Sequence, residues 1–302
     1  MNMILRYIFS VCALLTVSLT VCDAQLRKMP HSFDAWLSEP SMRHATVAVE
    51  VCDLTQKKRI WAFDEQRSVQ PASLMKLVTT GAALRKLGED YIIPDSVCCL
   101  DSASVPRLEL LGYNPDWMIE DIDADYVKPL TTIPDVGMRL GDFIKKTNEK
   151  SLNENAELLP YLLSEDHRLY SGLDSIKSYW RSCGINTEAL EMHDGCGLAP
   201  ADRVTAHLMT ELLIEMQHDE VFRNSLAVAG MTGTVMYFLK ASCLAGRAQL
   251  KTGTTKSVVA YAGYVQGSDN HTYSMVFIVN NSTAKVSTLR KNIEKMFLLL
   301  IP

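Results

Sequence analysis

Strand-like segments stand near both ends of this chain and helical ones fill its middle, an order that leaves few architectures open. Residues 46–54 alternate in the manner of a strand, and 59–63 follow a polar Gln-Lys-Lys turn as the hairpin partner. Towards the other end, 247–251, 260–266 and 272–279 read as three successive strands, closed by an amphipathic helix over 287–300. Between the two groups, residues 73–87 carry apolar side chains at helical spacing, with Pro71 just before the start and Gly88 at the C-terminal cap. Segments 140–147, 156–163, 174–183 and 204–217 also read as helices, while prolines at 94, 106, 115, 129 and 134 break 89–140 into loops and short pieces. The expectation is a mixed α/β (α+β) fold with one sheet assembled from both chain ends and an α-rich portion, about 88–220, inserted between them.

The 302 residues are 47% hydrophobic, ample for a packed core. Thirty basic residues stand against 35 acidic ones with no dense Lys/Arg block, which excludes an electrostatic grip on nucleic acid; nothing sets an oligomeric state. Arg6 precedes an apolar run over 7–21, and Cys22-Asp23-Ala24 offers small residues before Gln25, so 1–24 reads as an export signal and 25–302 as a single mature domain. The run is shorter than the roughly 20 residues of a spanning helix. Leu19-Thr20-Val21-Cys22 loosely resembles a lipobox, which would make the protein membrane-associated through a lipid on Cys22. The remaining cysteines show no Cys-x-x-Cys metal spacing, and export permits a disulfide such as Cys183 with Cys196.

Three short motifs follow in order: Ser73-Leu74-Met75-Lys76, Ser151-Leu152-Asn153 and Lys251-Thr252-Gly253-Thr254. A serine at the first turn of a helix sits near converging N–H groups that favour developing negative charge. A lysine three residues on shares its face, so Lys76 can serve as base to Ser73 if its pKa is lowered. Ser151 suits a proton relay to a leaving amine, and Asn153 can hold a substrate amide through its paired donor and acceptor. Lys251 with Thr252 or Thr254 would bind a free carboxylate, Gly253 lets substrate lie close to the backbone, and the Thr254 N–H can join that of Ser73 as an oxyanion hole. Such chemistry needs neither metal nor cofactor. Each motif alone is weak; their order, and the element expected under each, carries the signal.

On these residues the chain resembles the low-molecular-mass penicillin-binding proteins of the D-alanyl-D-alanine carboxypeptidase/endopeptidase group, peptidase family S13. The likeness extends through Pro71 to Thr79, Ser151 to Leu159, His193-Asp194-Gly195-Cys196-Gly197-Leu198 with Asp202-Arg203-Val204, and Val228 to Thr234. It implies a β-lactamase/transpeptidase-like fold, an antiparallel sheet backed by helices with a mostly helical subdomain across the cleft. It further implies acylation of Ser73 by peptidoglycan stem peptides ending in D-Ala-D-Ala, with β-lactams as covalent inhibitors. Two departures stand out. Only 74 residues separate Lys76 from Ser151, where the family carries a large insertion that the Trp117 segment still echoes, and Cys196 replaces a serine.

Competing readings are a serine β-lactamase of the same fold, which would need a deacylating carboxylate that neither Glu154 nor Glu157 marks clearly, and a non-catalytic binding module that keeps the cleft. A Ser-His-Asp triad through His193 and Asp194 fails because adjacent side chains rarely point the same way and no Gly-x-Ser-x-Gly elbow is present. A phosphate loop at Gly246 to Thr252 fails because Leu250, not glycine, precedes the lysine.

Overall fold

A computed structural model describes residues 26–94 and 137–302. The expected leader, Cys98, Cys99, the Trp117 segment and the prolines at 106–134 lie outside the described residues. The described elements are α1 (His31–Leu37), β1 (Thr46–Asp53), β2 (Lys58–Phe63), α2 (Met75–Leu87), α3 (Leu140–Lys150), α4 (Asn153–Leu162), α5 (Leu169–Ser182), α6 (Ala206–Met216), α7 (Glu220–Ser225), β3 (Ala227–Val228), β4 (Ala248–Thr254), β5 (Val258–Gln266), β6 (Thr272–Asn280) and α8 (Val286–Leu300). The strands form one antiparallel sheet in the order β2-β1-β6-β5-β4-β3. The strand nearest the start of the chain, β1, pairs along its whole length with β6, from Thr46 opposite Asn280 to Asp53 opposite Tyr273.

Period-two alternation explains why both faces are dry. Ala48, Cys52, Ala260, Ala262, Val276 and Ile278 belong to a core shared with α2 and α6, while Val49, Val51, Tyr261, Met275 and Phe277 belong to a second core under α1 and α8. The alanines on the first face let α6 approach the sheet closely. Helix α2 is buried from Met75 to Leu84 around its whole circumference, as a helix enclosed by the rest of the core must be. Trp180 of α5 lies over Gly81 and donates its indole N–H to the Val78 carbonyl at 3.0 Å, so the helical group is pinned to α2 at a defined height.

The elements missed by periodicity are short: α1, α7 and the two-residue β3 are below the length at which a repeat stands out. The helix expected over 204–217 starts at Ala206 because the Thr205 side chain caps it, accepting from Leu208 N–H at 3.0 Å. The Cys183–Cys196 disulfide that export would permit is not formed: both are free thiols, Cys183 at the C-terminal cap of α5 and Cys196 buried against Asp194.

Helices α4 and α5 meet where Gly172 faces Pro160, and a Cβ at Gly172 would overlap the Pro160 carbonyl. Gly172→Ala should lower the unfolding free energy by roughly 2 kcal/mol or more through overpacking. Urea denaturation checks this, and an unchanged midpoint would contradict the contact.

Candidate active site

Ser73 occupies a 3-10 turn, Ala72–Leu74, that leads directly into α2. The turn is clamped on two sides by glycines. A Cβ at Gly253 of β4 would lie 2.6 Å from the Pro71 carbonyl oxygen, and one at Gly197 would overlap the Ala72 carbonyl. Ala72 itself adopts φ 48°, which turns the chain sharply and leaves Ser73 half-buried while its neighbours are buried. Asn280 of β6 steadies the approach, accepting from Gln70 N–H at 2.7 Å and donating to its carbonyl at 3.0 Å.

Lys76 is fully buried, and its Nζ has three partners: Ser73 Oγ at 3.0 Å, Asn153 Oδ1 at 2.7 Å and the Cys196 carbonyl at 2.9 Å. Two of these can only accept, whereas the serine hydroxyl can also donate. A neutral amine fits the set without loss: two N–H bonds go to Asn153 and Cys196, and the lone pair faces the Ser73 proton. Burial pushes the amine below its ordinary value, opposed by the acidic groups of the loop that carries Cys196 and Asp194.

The second motif is a tight joint rather than a loop. Helix α3 ends at Lys150, Ser151 takes the left-handed conformation at φ 60°, and α4 begins at Asn153, so Ser151 and Asn153 both turn inward. Ser151 Oγ accepts from Lys251 Nζ at 2.9 Å, and Lys251 also donates to the Thr252 carbonyl at 2.8 Å. Lys251 is fully buried, and burial lowers its pKa well below the ordinary range. Thr252 Oγ1 bonds Thr234 Oγ1 at 2.9 Å, and Thr254, exposed at the strand end, accepts from Arg290 at 3.2 Å. β3 pairs only with Gln249 and Leu250, so among the described residues no strand flanks β4 on that side from Lys251 onward. All eight expected site residues thus line one region between α2, the α3–α4 joint and β4.

Behind Lys76 stands a layer with no counterpart in the motif spacing. The Asp194 carboxylate is fully buried and accepts backbone N–H from Cys196 at 3.0 Å, Gly197 at 2.5 Å, Leu198 at 2.9 Å and Ala199 at 2.6 Å. It wraps the loop that presents the Cys196 carbonyl to Lys76, a structural task quite unlike a triad acid. Glu157, Asp194 and Cys196 bring ligand-type atoms within 4.8 Å of one another. They suit a metal poorly, because both Asp194 oxygens are saturated by N–H donors and burial raises the Cys196 thiol well above its ordinary value.

With this geometry in hand, comparison with known proteins is informative. The model of the D-Ala-D-Ala carboxypeptidase 3 (S13) family matches residues 29–99 and 135–298. The chain belongs to that family. A D-alanyl-D-alanine carboxypeptidase of an Actinomadura species is 28% identical over 183 residues, 56% of this chain and 32% of the relative, so the match spans about a third of that protein's length. Among solved structures, penicillin binding protein 4 of Haemophilus influenzae aligns with a TM-score of 0.73 at 14% identity, covering 90% of this chain and 99% of that one. A class A β-lactamase of Bacteroides cellulosilyticus aligns at 0.64 with 19% identity, covering 90% and 95%. At such identities these likenesses establish the fold alone, a penicillin-binding-protein and β-lactamase-like architecture.

For this family member, sequence reasoning missed Thr234, the carbonyl of Cys196 and the organising carboxylates. The Val228 to Thr234 stretch stood out as a resemblance, yet nothing in its spacing points to a hydroxyl 18 positions before Thr252. Asp194→Asn would place an amide donor against backbone N–H groups. It should cost about 2–3 kcal/mol or more of stability. Thermal unfolding checks this, and a variant of wild-type stability would contradict the role.

Proposed function

We propose that the chain is an exported serine D-Ala-D-Ala carboxypeptidase that works on peptidoglycan stem peptides through an acyl-enzyme on Ser73. The observation that carries the reading is the 3.0 Å approach of Lys76 Nζ to Ser73 Oγ, with the amine's two other partners being obligate acceptors. Lys76 takes the hydroxyl proton as Ser73 Oγ attacks the carbonyl of the penultimate D-alanine. The backbone N–H groups of Ser73 and Thr254 hold the resulting oxyanion. When the C–N bond breaks, the proton held on Lys76 passes through Ser151 to the departing D-alanine amine. Water then attacks the ester, gives its proton to the same base, and Ser73 regains its own as the shortened peptide leaves.

Lys251, with the hydroxyls of Thr252 and Thr254, anchors the terminal carboxylate, and Thr234 extends that hydroxyl row through its bond to Thr252. Asn153 orients the substrate amide while holding Lys76. Export to the periplasm follows from the reading of residues 1–24; among the described residues no helix is long and apolar enough to cross a membrane. β-Lactams would acylate Ser73 as mimics of the same substrate, a proposal supported by the fold's likeness to the Haemophilus influenzae protein complexed with a β-lactam.

Intact mass after exposure to a penicillin should show one adduct on wild type and none on Ser73→Ala. Lys76→Ala should acylate roughly 10² to 10⁴ times more slowly. In wild type the acylation rate should fall as pH drops through the lowered Lys76 value, because the amine then becomes ammonium. A folded wild type that takes no adduct contradicts the proposal. Adduct that is rapidly released with hydrolysis of the drug favours a β-lactamase instead.

A further inference from the structure

Glu157 follows Asn153 by one turn of α4, so the two share a helix face. It is only 4% exposed. Its Oε1 accepts from Gly195 N–H at 3.1 Å, and its Oε2 is buried with no hydrogen-bond partner. An ionised carboxylate left with a bare oxygen in a dry pocket is costly, whereas a carboxylic acid is tolerated there. Among the described residues, the titratable groups acting on Glu157 are Lys76 from α2, Asp194, Cys196 and Asp202 from the loop over α4, and Tyr161 on its own helix. Burial and then the Asp194 charge push Glu157 up to about 8 and Asp202 up to about 10. Burial thus favours the uncharged acid form of Glu157 and of Asp202 in the pocket behind Lys76.

We propose that Glu157 is a positioning residue for acylation: as a neutral acid it fixes the loop that presents the Cys196 carbonyl to Lys76 and keeps a second negative charge from converting that amine to ammonium. The inference rests on the reading of Ser73 and Lys76 as nucleophile and base. Ionised, Glu157 would repel Asp194, loosen the loop and favour the protonated lysine. The folded protein binds the Glu157 proton more tightly than the unfolded chain, whose carboxyl keeps its ordinary value near 4.5. That contribution to stability is full below pH 4.5 and is lost as pH rises towards 8. A glutamine keeps the acceptor for Gly195 and escapes that loss.

The test measures thermal midpoint and the rate of Ser73 labelling by a fluorescent penicillin, for wild type, Glu157→Gln and Glu157→Ala, across neutral and alkaline pH. The Glu157→Gln midpoint should gain on wild type steadily as pH rises from 5 towards 8. Wild-type labelling should fall above about pH 8 while Glu157→Gln keeps its rate, a difference of about threefold or more one pH unit higher. Glu157→Ala, which lacks the Gly195 acceptor, should label at least about tenfold more slowly at pH 7. A Glu157→Gln profile and midpoint difference that do not change with pH would overturn the inference, as would a Glu157→Ala variant labelling at the wild-type rate. Absence of labelling in all three folded proteins at every pH would instead remove the reading of Ser73 and Lys76 on which it stands.

Discussion

Three hydrogen bonds on one buried amine organise this molecule. Lys76 Nζ ties together the turn that carries Ser73, the start of the helix that carries Asn153 and the loop that ends in the Cys196 carbonyl. Those pieces come from positions 73, 153 and 196 of the chain, so the amine is the point at which the sheet-bound helix α2 and the helical group across the cleft meet. A charged ammonium in that place would lack hydration, and a neutral amine has just enough donors and one lone pair for its neighbours. The same property that makes the site dry makes the lysine basic chemistry available to a serine.

Much of the surrounding structure serves to hold those partners still. Gly253 and Gly197 admit two carbonyls that any side chain would displace, which presses β4 and the loop after Asp194 against the Ser73 turn. Trp180 fixes the helical group on α2, and Asp194 spends both oxygens on backbone N–H groups so that the Cys196 carbonyl points one way. On the other side of the cleft, Lys251 is buried as fully as Lys76, and burial disfavours its charge as well. Burying Lys76, Lys251 and the acidic groups of Glu157, Asp194 and Asp202 is unfavourable for folding, and the two dry cores on either side of the sheet offset that cost.

The parts legible in the sequence are those whose geometry is local. A spacing of three puts Ser73 and Lys76 on one face, a spacing of two across a tight joint turns Ser151 and Asn153 the same way, and alternation marks β1, β5 and β6. The order of the three motifs then carries the resemblance to known relatives, and the fold agrees with it. The parts that escaped depend on partners far along the chain. Glu157 meets the backbone of Gly195, Thr234 meets Thr252, and Asp194 meets N–H groups that every residue possesses, so no residue type announces the contact. Cysteine pairing is open in the sequence for the same reason: nothing local tells that Cys196 lies buried beside Asp194 as a free thiol.

The central claim is that Lys76 is an amine, not an ammonium, when Ser73 is poised to react. Side-chain NMR of isotopically labelled lysines, with the Lys76 resonance assigned by its loss in Lys76→Arg, follows that titration directly. The account predicts a midpoint below the ordinary 10.5. A Lys76 that titrates at its ordinary value would contradict it, and would require another group to take the proton from Ser73.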